Sequence, residues 1–165
     1  GDFVELLQAT ISKKGTFLTV ADEFHILNND VHLQEVRDQG SFRVRYEPDE
    51  GAEGCYIPRL ILQPLVENAI LHGIDMKEKN GEIILKAKLE QNRLRLFVID
   101  NGRGMTKEQI DTLLHSKAKK TNGLSAIGVP NIKERLELYY GEAGGLVYQS
   151  SESGTTAEIF LPAKK

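Results

Sequence analysis

The sequence predicts an α+β fold, a two-layer α/β sandwich in which helices cover one face of a mixed, mostly antiparallel sheet. Apolar residues recur at helical spacing in some segments and alternate with polar residues in others, so both element types are expected. Twice, two strands follow one another through a short turn, which produces antiparallel hairpins rather than an all-parallel sheet. The predicted order is helix, helix, strand, helix, strand, strand, helix, helix, strand, strand, with the first two helices preceding the sandwich.

The composition narrows the functional classes. The 165 residues fit about one domain. A net charge of -3 and a pI of about 5.9 exclude a protein that holds nucleic acid by phosphate neutralisation alone. The single cysteine, Cys55, excludes an internal disulfide and a cysteine-rich zinc site. No apolar run approaches the roughly 18 residues of a membrane-spanning helix.

Two helices are predicted at the start of the chain. Apolar spacing indicates a short helix over residues 3–13, and Thr19 with Asp22 forms a capping box for a second helix over about 20–38. The second helix carries an apolar seam with two interpretations, packing against another helix or an ordinary stripe facing the core. The seam consists of Val20, Phe24, Leu27 and Val31.

The apolar period changes after Gly40 from about 3.6 to 2. Residues 42–46 predict a strand, residues 48–54 form an acidic, glycine-rich loop, and a very apolar segment predicts a helix over 59–72. Pro64 lies inside that helix and removes one backbone donor, so its first turn is expected to be bent or separate.

The second half of the chain begins with a predicted β-hairpin. Apolar and polar residues alternate over 83–89 and again over 94–98, and the second strand ends at Asp100. The remaining predictions are a helix at 106–114 capped by Thr106, a loop at 115–125, a helix at 129–141 and two final strands at 146–148 and 157–161.

The first segment whose polar residues are candidates for binding a ligand or metal is Glu67–Gly73. Asn68 and His72 are four residues apart, so they share one helix face, beside Gln63 and Glu67. An Asn carbonyl is a hard oxygen ligand that suits Mg²⁺. The alternative is that these polar residues form only the solvated face of the helix.

Two further segments place polar or glycine residues at element ends. Asp100 closes an apolar strand and is followed by Gly102 and Gly104, an arrangement that lets a ligand approach closely and offers a carboxylate to an exocyclic amine. An ordinary strand–turn–helix corner is the alternative. Residues 123–131 form a glycine-containing loop that enters a helix, whose N-terminal N–H groups favour an anion.

Together and in this order, four stretches resemble the nucleotide-binding boxes of the GHKL superfamily, which implies the Bergerat fold. They are LILQPLVENAILHGI (the N box), VIDNGRGM, IGVPNIKERLELYYG and SGTTAEIFLP. The chain is most similar to the catalytic domain of two-component sensor histidine kinases, in the LytS/YesM-like branch. The stretch ELLQATISKKGTFLTVADEF resembles the segment that precedes this domain. The resemblance therefore divides the chain into a helical pre-catalytic segment, 1–39, and an ATP-binding catalytic domain, 40–165.

The resemblance implies a role for each matching residue. Asp100 binds the adenine amino group, Asn68 coordinates Mg²⁺, and Glu67 is the catalytic proton acceptor or supports Asn68. Residues 115–127 form a lid over the phosphates. The other residues assigned to ATP are His72, Gly102, Gly104, Gly128 and Thr156. The implied cofactors are ATP and Mg²⁺.

Three positions depart from related patterns. Ala126 replaces the first glycine of the lid motif, and Leu71 replaces a basic residue that many histidine kinases carry. Pro64 stands where ATP-hydrolysing GHKL enzymes and serine kinases carry a Glu as general base. Pro64 therefore argues against an ATPase and for a histidine kinase, whereas Ala126 and Leu71 leave a degenerate, non-catalytic partner-docking module as the alternative function.

The resemblance also predicts partners. In this branch the phosphoacceptor His lies in a helix upstream of the ELLQATIS-like segment, and no residue here matches it, so it is expected in another part of the same protein or in a partner chain. His25 is a poor substitute because it falls on an ordinary helical face. The γ-phosphoryl group of ATP is expected to pass to that His and then to an Asp of a response regulator. The complete protein is expected to be a homodimer in the bacterial cell membrane with this domain in the cytoplasm, and no nucleic acid is expected as a partner.

Overall fold

A five-stranded sheet forms the centre of the fold. The structure is a computed structural model that describes residues 16–37, 42–73, 81–115 and 128–165. Within these ranges the strands are β1 (Phe17–Thr19), β2 (Phe42–Pro48), β3 (Tyr56–Pro58), β4 (Gly81–Glu90), β5 (Arg93–Asp100), β6 (Gly145–Ser151) and β7 (Gly154–Pro162). The helices are α1 (Val20–Arg37), α2 (Gln63–Asn68), α3 (Lys107–His115) and α4 (Val129–Tyr140), and a π-helical turn, Ala69–Gly73, continues α2.

The order of the strands confirms the predicted mixed, mostly antiparallel sheet. The order is β2-β4-β5-β7-β6, and β2 pairs with β4 in parallel whereas the other three pairs are antiparallel. The register places four residues in one row across the sheet. The row consists of Ile83, Asp100, Thr155 and Ser150.

Helices pack on the face of the sheet to which this row belongs. Alternate residues of β4, β5 and β7 are buried there, together with Ile132 and Leu136 of α4. Val20, Phe24 and Leu27 of α1 join the same buried cluster. The seam of α1 is therefore a stripe that faces the core over the part of the helix whose side chains are described. No helix in the described ranges is long and apolar enough to span a membrane.

Local signals placed most element ends correctly. The N–H of Asp22 donates to Thr19 Oγ1 over 3.1 Å. The N–H of Gln109 donates to Thr106 Oγ1 over 3.1 Å, and the Thr106 N–H donates to Gln109 Oε1 over 2.8 Å. Both predicted N-terminal caps are thereby confirmed.

The structure corrects the helix predicted over 59–72. Residues 59–62 form turns and bends, and α2 begins at Gln63 with Pro64 in its first turn, where a missing N–H costs no intrahelical bond. The sequence prediction also missed the small antiparallel sheet that β1 forms with β3. The predicted helix over 3–13 and nearly all of the loop over 115–125 lie outside the described residues.

Candidate functional site

Asp100 is a buried carboxylate at the end of a central strand. It is 6% exposed, and its Oδ1 accepts the N–H of Gly102 over 2.9 Å and that of Thr155 over 3.3 Å. Burial raises the pKa of Asp100, and these two backbone donors partly offset the effect. Both bonds end on Oδ1, and no group among the described residues donates to Oδ2. The described residues therefore supply hydrogen bonds to only one of the two carboxylate oxygens.

Asn68 is the last residue of α2 and lines a cleft of about 900 Å³. The opposite wall is the loop after β5 and the first turns of α3. One turn before Asn68, Gln63 Nε2 donates to Glu67 Oε1 over 3.2 Å, so Glu67 is oriented by its own helix. The cleft wall also includes Arg103, Gly104, Met105, Thr106, Glu108, Gln109, Thr112 and Leu113.

Tyr148 lies on the inward face of β6, and its hydroxyl has Asp100 and Asn68 in its electrostatic surroundings, which the sequence did not reveal. Its hydroxyl oxygen is buried and has no hydrogen-bond partner of good geometry within the described residues. Burial raises the pKa of Tyr148, the charge of Asp100 raises it further, and the nearby amide of Asn68 opposes the rise. The turn Ala69–Gly73, which follows Asn68, contacts β5, whose last residue is Asp100, so Asn68 and Asp100 belong to neighbouring elements of the fold. The only sequence signal was an aromatic residue on the inward face of β6.

The glycine loop after Asp100 is fastened to the β6–β7 hairpin. Gly104 has a φ of +80°, and a Cβ at that position would overlap the carbonyl oxygen of Ser151. The N–H of Met105 donates to Ser150 Oγ over 2.6 Å, and Ser150 Oγ donates to the Gly154 carbonyl oxygen over 3.2 Å. The loop therefore needs glycine at Gly104 because the backbone of Ser151 approaches it closely, and the predicted role of Gly104 in giving space to a ligand stays a prediction.

The structure places Thr155, and not the predicted Thr156, on the face of the sheet that carries Asp100. The register pairs Thr155 with Asp100 and Thr156 with Ile99, so Thr156 lies on the face of the sheet opposite the site. Thr155 is 4% exposed, and its hydroxyl lies 2.9 Å from Ser150 Oγ. The sequence contained a signal for this placement. The buried residues of β7 alternate from Ala157 onward, and the residue two positions before Ala157 is Thr155.

The structure describes the remaining predicted residues only in part. His72 lies in the turn that continues α2, but its side chain is outside the described part. Gly128 precedes α4 with a φ of -79°, a conformation open to any residue. Leu71 is 72% exposed. The lid, Ala126 included, falls outside the described residues.

The amide oxygen of Asn68 is of the ligand type that Mg²⁺ accepts in proteins. Among the described residues, no group of three or more His, Cys, Asp or Glu is placed to hold a metal. Mg²⁺ usually takes only one or two protein oxygens and completes its octahedron with phosphate oxygens and water. The amide oxygen of Asn68, on the wall of an open cleft, suits that arrangement.

Comparison with known proteins gives relatives in bacterial signalling. The chain is 31% identical over 147 residues to the sensor protein LytS of Staphylococcus epidermidis, covering 89% of this chain and 25% of LytS. It is 30% identical over 160 residues to the sensor histidine kinase YesM of Bacillus subtilis, covering 96% of this chain and 26% of YesM. The chain thus spans about a quarter of these relatives, and the predicted resemblance to the LytS/YesM-like branch is confirmed.

Solved structures share the fold. The catalytic domain of the histidine kinase ThkA superposes with a TM-score of 0.67 at 17% identity, covering 89% of this chain and 94% of that one. ThkA in complex with the response regulator protein TrrA matches with a TM-score of 0.64 at 16% identity, over 90% of this chain and 42% of that one. In sequence, residues 57–165 match the family described as histidine kinase-, DNA gyrase B-, and HSP90-like ATPase. Because that match spans well over half of the chain, the protein belongs to this ATPase family.

Proposed function

We propose that this chain is the ATP-binding catalytic domain of a sensor histidine kinase and that Asp100 recognises the base. The observation that carries the proposal is a buried carboxylate at the end of a central strand, whose Oδ2 receives no hydrogen bond from the described residues. A carboxylate oxygen accepts a hydrogen bond and donates none, so it favours an exocyclic amine such as that of adenine over a carbonyl oxygen. Recognition of ATP by this route leaves the triphosphate to extend toward the cleft beside Asn68.

The residues of the cleft are proposed to position ATP rather than to react covalently. Phosphoryl transfer depends mainly on alignment and charge neutralisation. Asn68 would hold Mg²⁺ through its amide oxygen, and the ion would supply the neutralisation of phosphate charge. Glu67, which is oriented by Gln63, is proposed as the proton acceptor. His72 and Gly128 are proposed to contact the phosphates, and Gly102 and Gly104 to give the nucleotide space.

Hydrolysis by this domain alone is not favoured. Pro64 is buried in the first turn of α2, one helical turn before Asn68, and has no side chain that accepts a proton. The phosphoryl group is therefore proposed to pass to a His outside this chain's sequence and then to a response regulator. The names of LytS and YesM and the ThkA–TrrA complex support this class of partner. A membrane-bound homodimer with this part in the cytoplasm remains our proposal for the complete protein.

Nucleotide titration of the purified chain tests the proposal. A ligand at a hundred times its Kd stabilises a protein by about 2.7 kcal/mol, which corresponds to a rise in melting temperature of roughly 5 to 10 °C for this size. We expect that rise with Mg·ATP and a smaller one with Mg·GTP. An unchanged melting temperature with Mg·ATP, together with no heat of binding in calorimetry, would contradict ATP binding.

A second experiment tests transfer of the γ-phosphoryl group to protein. The complete protein is incubated with ATP labelled in the γ-phosphate, and acid-labile, alkali-stable label on the protein is expected. Steady phosphate release without labelled protein would instead favour an ATPase.

A further inference from the structure

The helix that carries Asn68 begins without a cap of its own. The residue before α2 is Leu62, whose side chain cannot accept a hydrogen bond, and α2 has only six residues before its π-helical continuation. The first N–H groups of a helix need acceptors from elsewhere, and helices this short are marginal without tertiary contacts. The position of Asn68 therefore depends on whatever satisfies the backbone just before α2.

Glu23 of α1, a distant part of the chain, supplies acceptors to the three residues that directly precede α2. Its side chain is 1% exposed. Its Oε1 accepts the N–H of Leu60 over 2.8 Å, and its Oε2 accepts those of Ile61 over 2.9 Å and Leu62 over 3.4 Å. Burial raises the pKa of Glu23, and the three backbone donors and then the charge of Arg135 oppose the rise. Three donors on one buried carboxylate indicate a specific cap rather than a surface contact.

The turn that Glu23 caps has a conformation that must be held in place. Leu60 has a φ of +58°, a left-handed conformation that costs a non-glycine residue on the order of 1 kcal/mol. The neighbouring Arg59 is held on two other sides. Arg135 Nη2 of α4 donates to the Arg59 carbonyl oxygen over 2.8 Å, and the Arg59 N–H donates to the Thr16 carbonyl oxygen over 2.6 Å.

From this geometry we infer that Glu23 is a positioning residue of the nucleotide site. It fixes where α2 starts and thereby where Asn68 stands, although it does not line the cleft. Because Glu23 belongs to α1, a displacement of α1 moves the cap of α2 and so changes the nucleotide site. This inference rests on the proposed nucleotide site, and it adds α1 to the parts of the chain that determine affinity.

The test compares two variants of α1 that are both expected to lower stability. Glu23→Gln keeps the side-chain shape but turns one acceptor oxygen into a donor that faces backbone N–H groups. Leu27→Ala removes a buried side chain from the same helix but leaves the three hydrogen bonds between Glu23 and the turn in place. In the nucleotide-free chain, we expect the backbone amide resonance of Asn68 to shift in Glu23→Gln and to stay in place in Leu27→Ala.

Nucleotide affinity provides the second readout, and it is measured at a temperature at which both variants are fully folded. We expect the Kd for Mg·ATP to rise at least tenfold in Glu23→Gln and less than twofold in Leu27→Ala. An unchanged Kd and Asn68 resonance in Glu23→Gln would overturn the inference, as would equal losses of affinity in the two variants. If the wild-type chain binds no ATP, the proposed function fails, whereas the Asn68 resonance still reports whether Glu23 positions α2.

A third variant keeps the test decisive if Glu23→Gln does not fold. Arg135→Met retains the apolar stem of the side chain but removes the donor to the Arg59 carbonyl oxygen, so it loosens the same turn from α4. We expect a two- to fivefold rise in Kd with a shifted Asn68 resonance. An unchanged Kd and resonance would overturn the inference.

Discussion

Replacing Asp100 by Asn should affect recognition of adenine and stability of the fold in different ways. The amide oxygen of Asn can still accept the N–H groups of Gly102 and Thr155, which both bind Oδ1. The amide nitrogen then takes the place of Oδ2 and presents a donor to the amino group of adenine. Since a hydrogen bond to a charged group contributes about 1.5–3 kcal/mol, the Kd for Mg·ATP should rise about 10- to 150-fold in calorimetric titration.

Asp100→Asn should not lower the stability of the fold, although it weakens binding of Mg·ATP. Burial raises the pKa of Asp100 above its ordinary value of 3.8, so the ionised carboxylate costs folding free energy at neutral pH. The cost is complete above the raised pKa and disappears as pH falls below the ordinary value. Asp100→Asn should therefore melt at or above the wild-type temperature at pH 7, and this advantage should vanish toward pH 4.

A matched variant controls for the chemical change. Asp49→Asn alters an Asp that accepts the N–H of Leu89 over 3.3 Å, away from the residues of the site. Its affinity for Mg·ATP should equal that of the wild type. If Asp100→Asn also binds Mg·ATP with wild-type affinity, the base is not held by this carboxylate and the reasoning is refuted.

Three further predictions concern the surroundings of Asp100. Thr155→Val should lower the free energy of unfolding by about 1–2 kcal/mol in urea titration, because Ser150 loses a buried partner. Thr156→Val should change it by less than about 0.5 kcal/mol, and a reversed ranking would contradict the register. Tyr148→Phe should melt at the same temperature or higher in calorimetry, because it removes a buried hydroxyl without a good partner, and a clear loss would show that the hydroxyl is satisfied. Gly104→Ala should lose at least about 2 kcal/mol in the same urea titration, from its positive φ and the overlap with Ser151, and wild-type stability would exclude that conformation.

Features set by neighbouring residues were predictable from the chain alone. The caps at Thr19 and Thr106 use partners three residues away, and alternation placed Asp100 at the end of an inward-facing strand. The N box could be recognised because its functional residues follow one another along the chain. Such signals depend on short-range geometry, which the order of residues specifies directly.

Features that join distant segments required the folded chain. Glu23 contacts the turn before α2 at Leu60, which lies 37 residues further along the chain, and no local sequence pattern indicates that contact. Thr155 lies beside Asp100, and Ser150 beside Thr155, only because β5, β7 and β6 are neighbours in the sheet. The sequence thus contained the carboxylate that is proposed to recognise the base and the amide that is proposed to hold the metal. Their placement in one site, and the buried cap that positions α2, arise from tertiary packing, because distance in space between such segments is set by the whole core rather than by spacing along the chain.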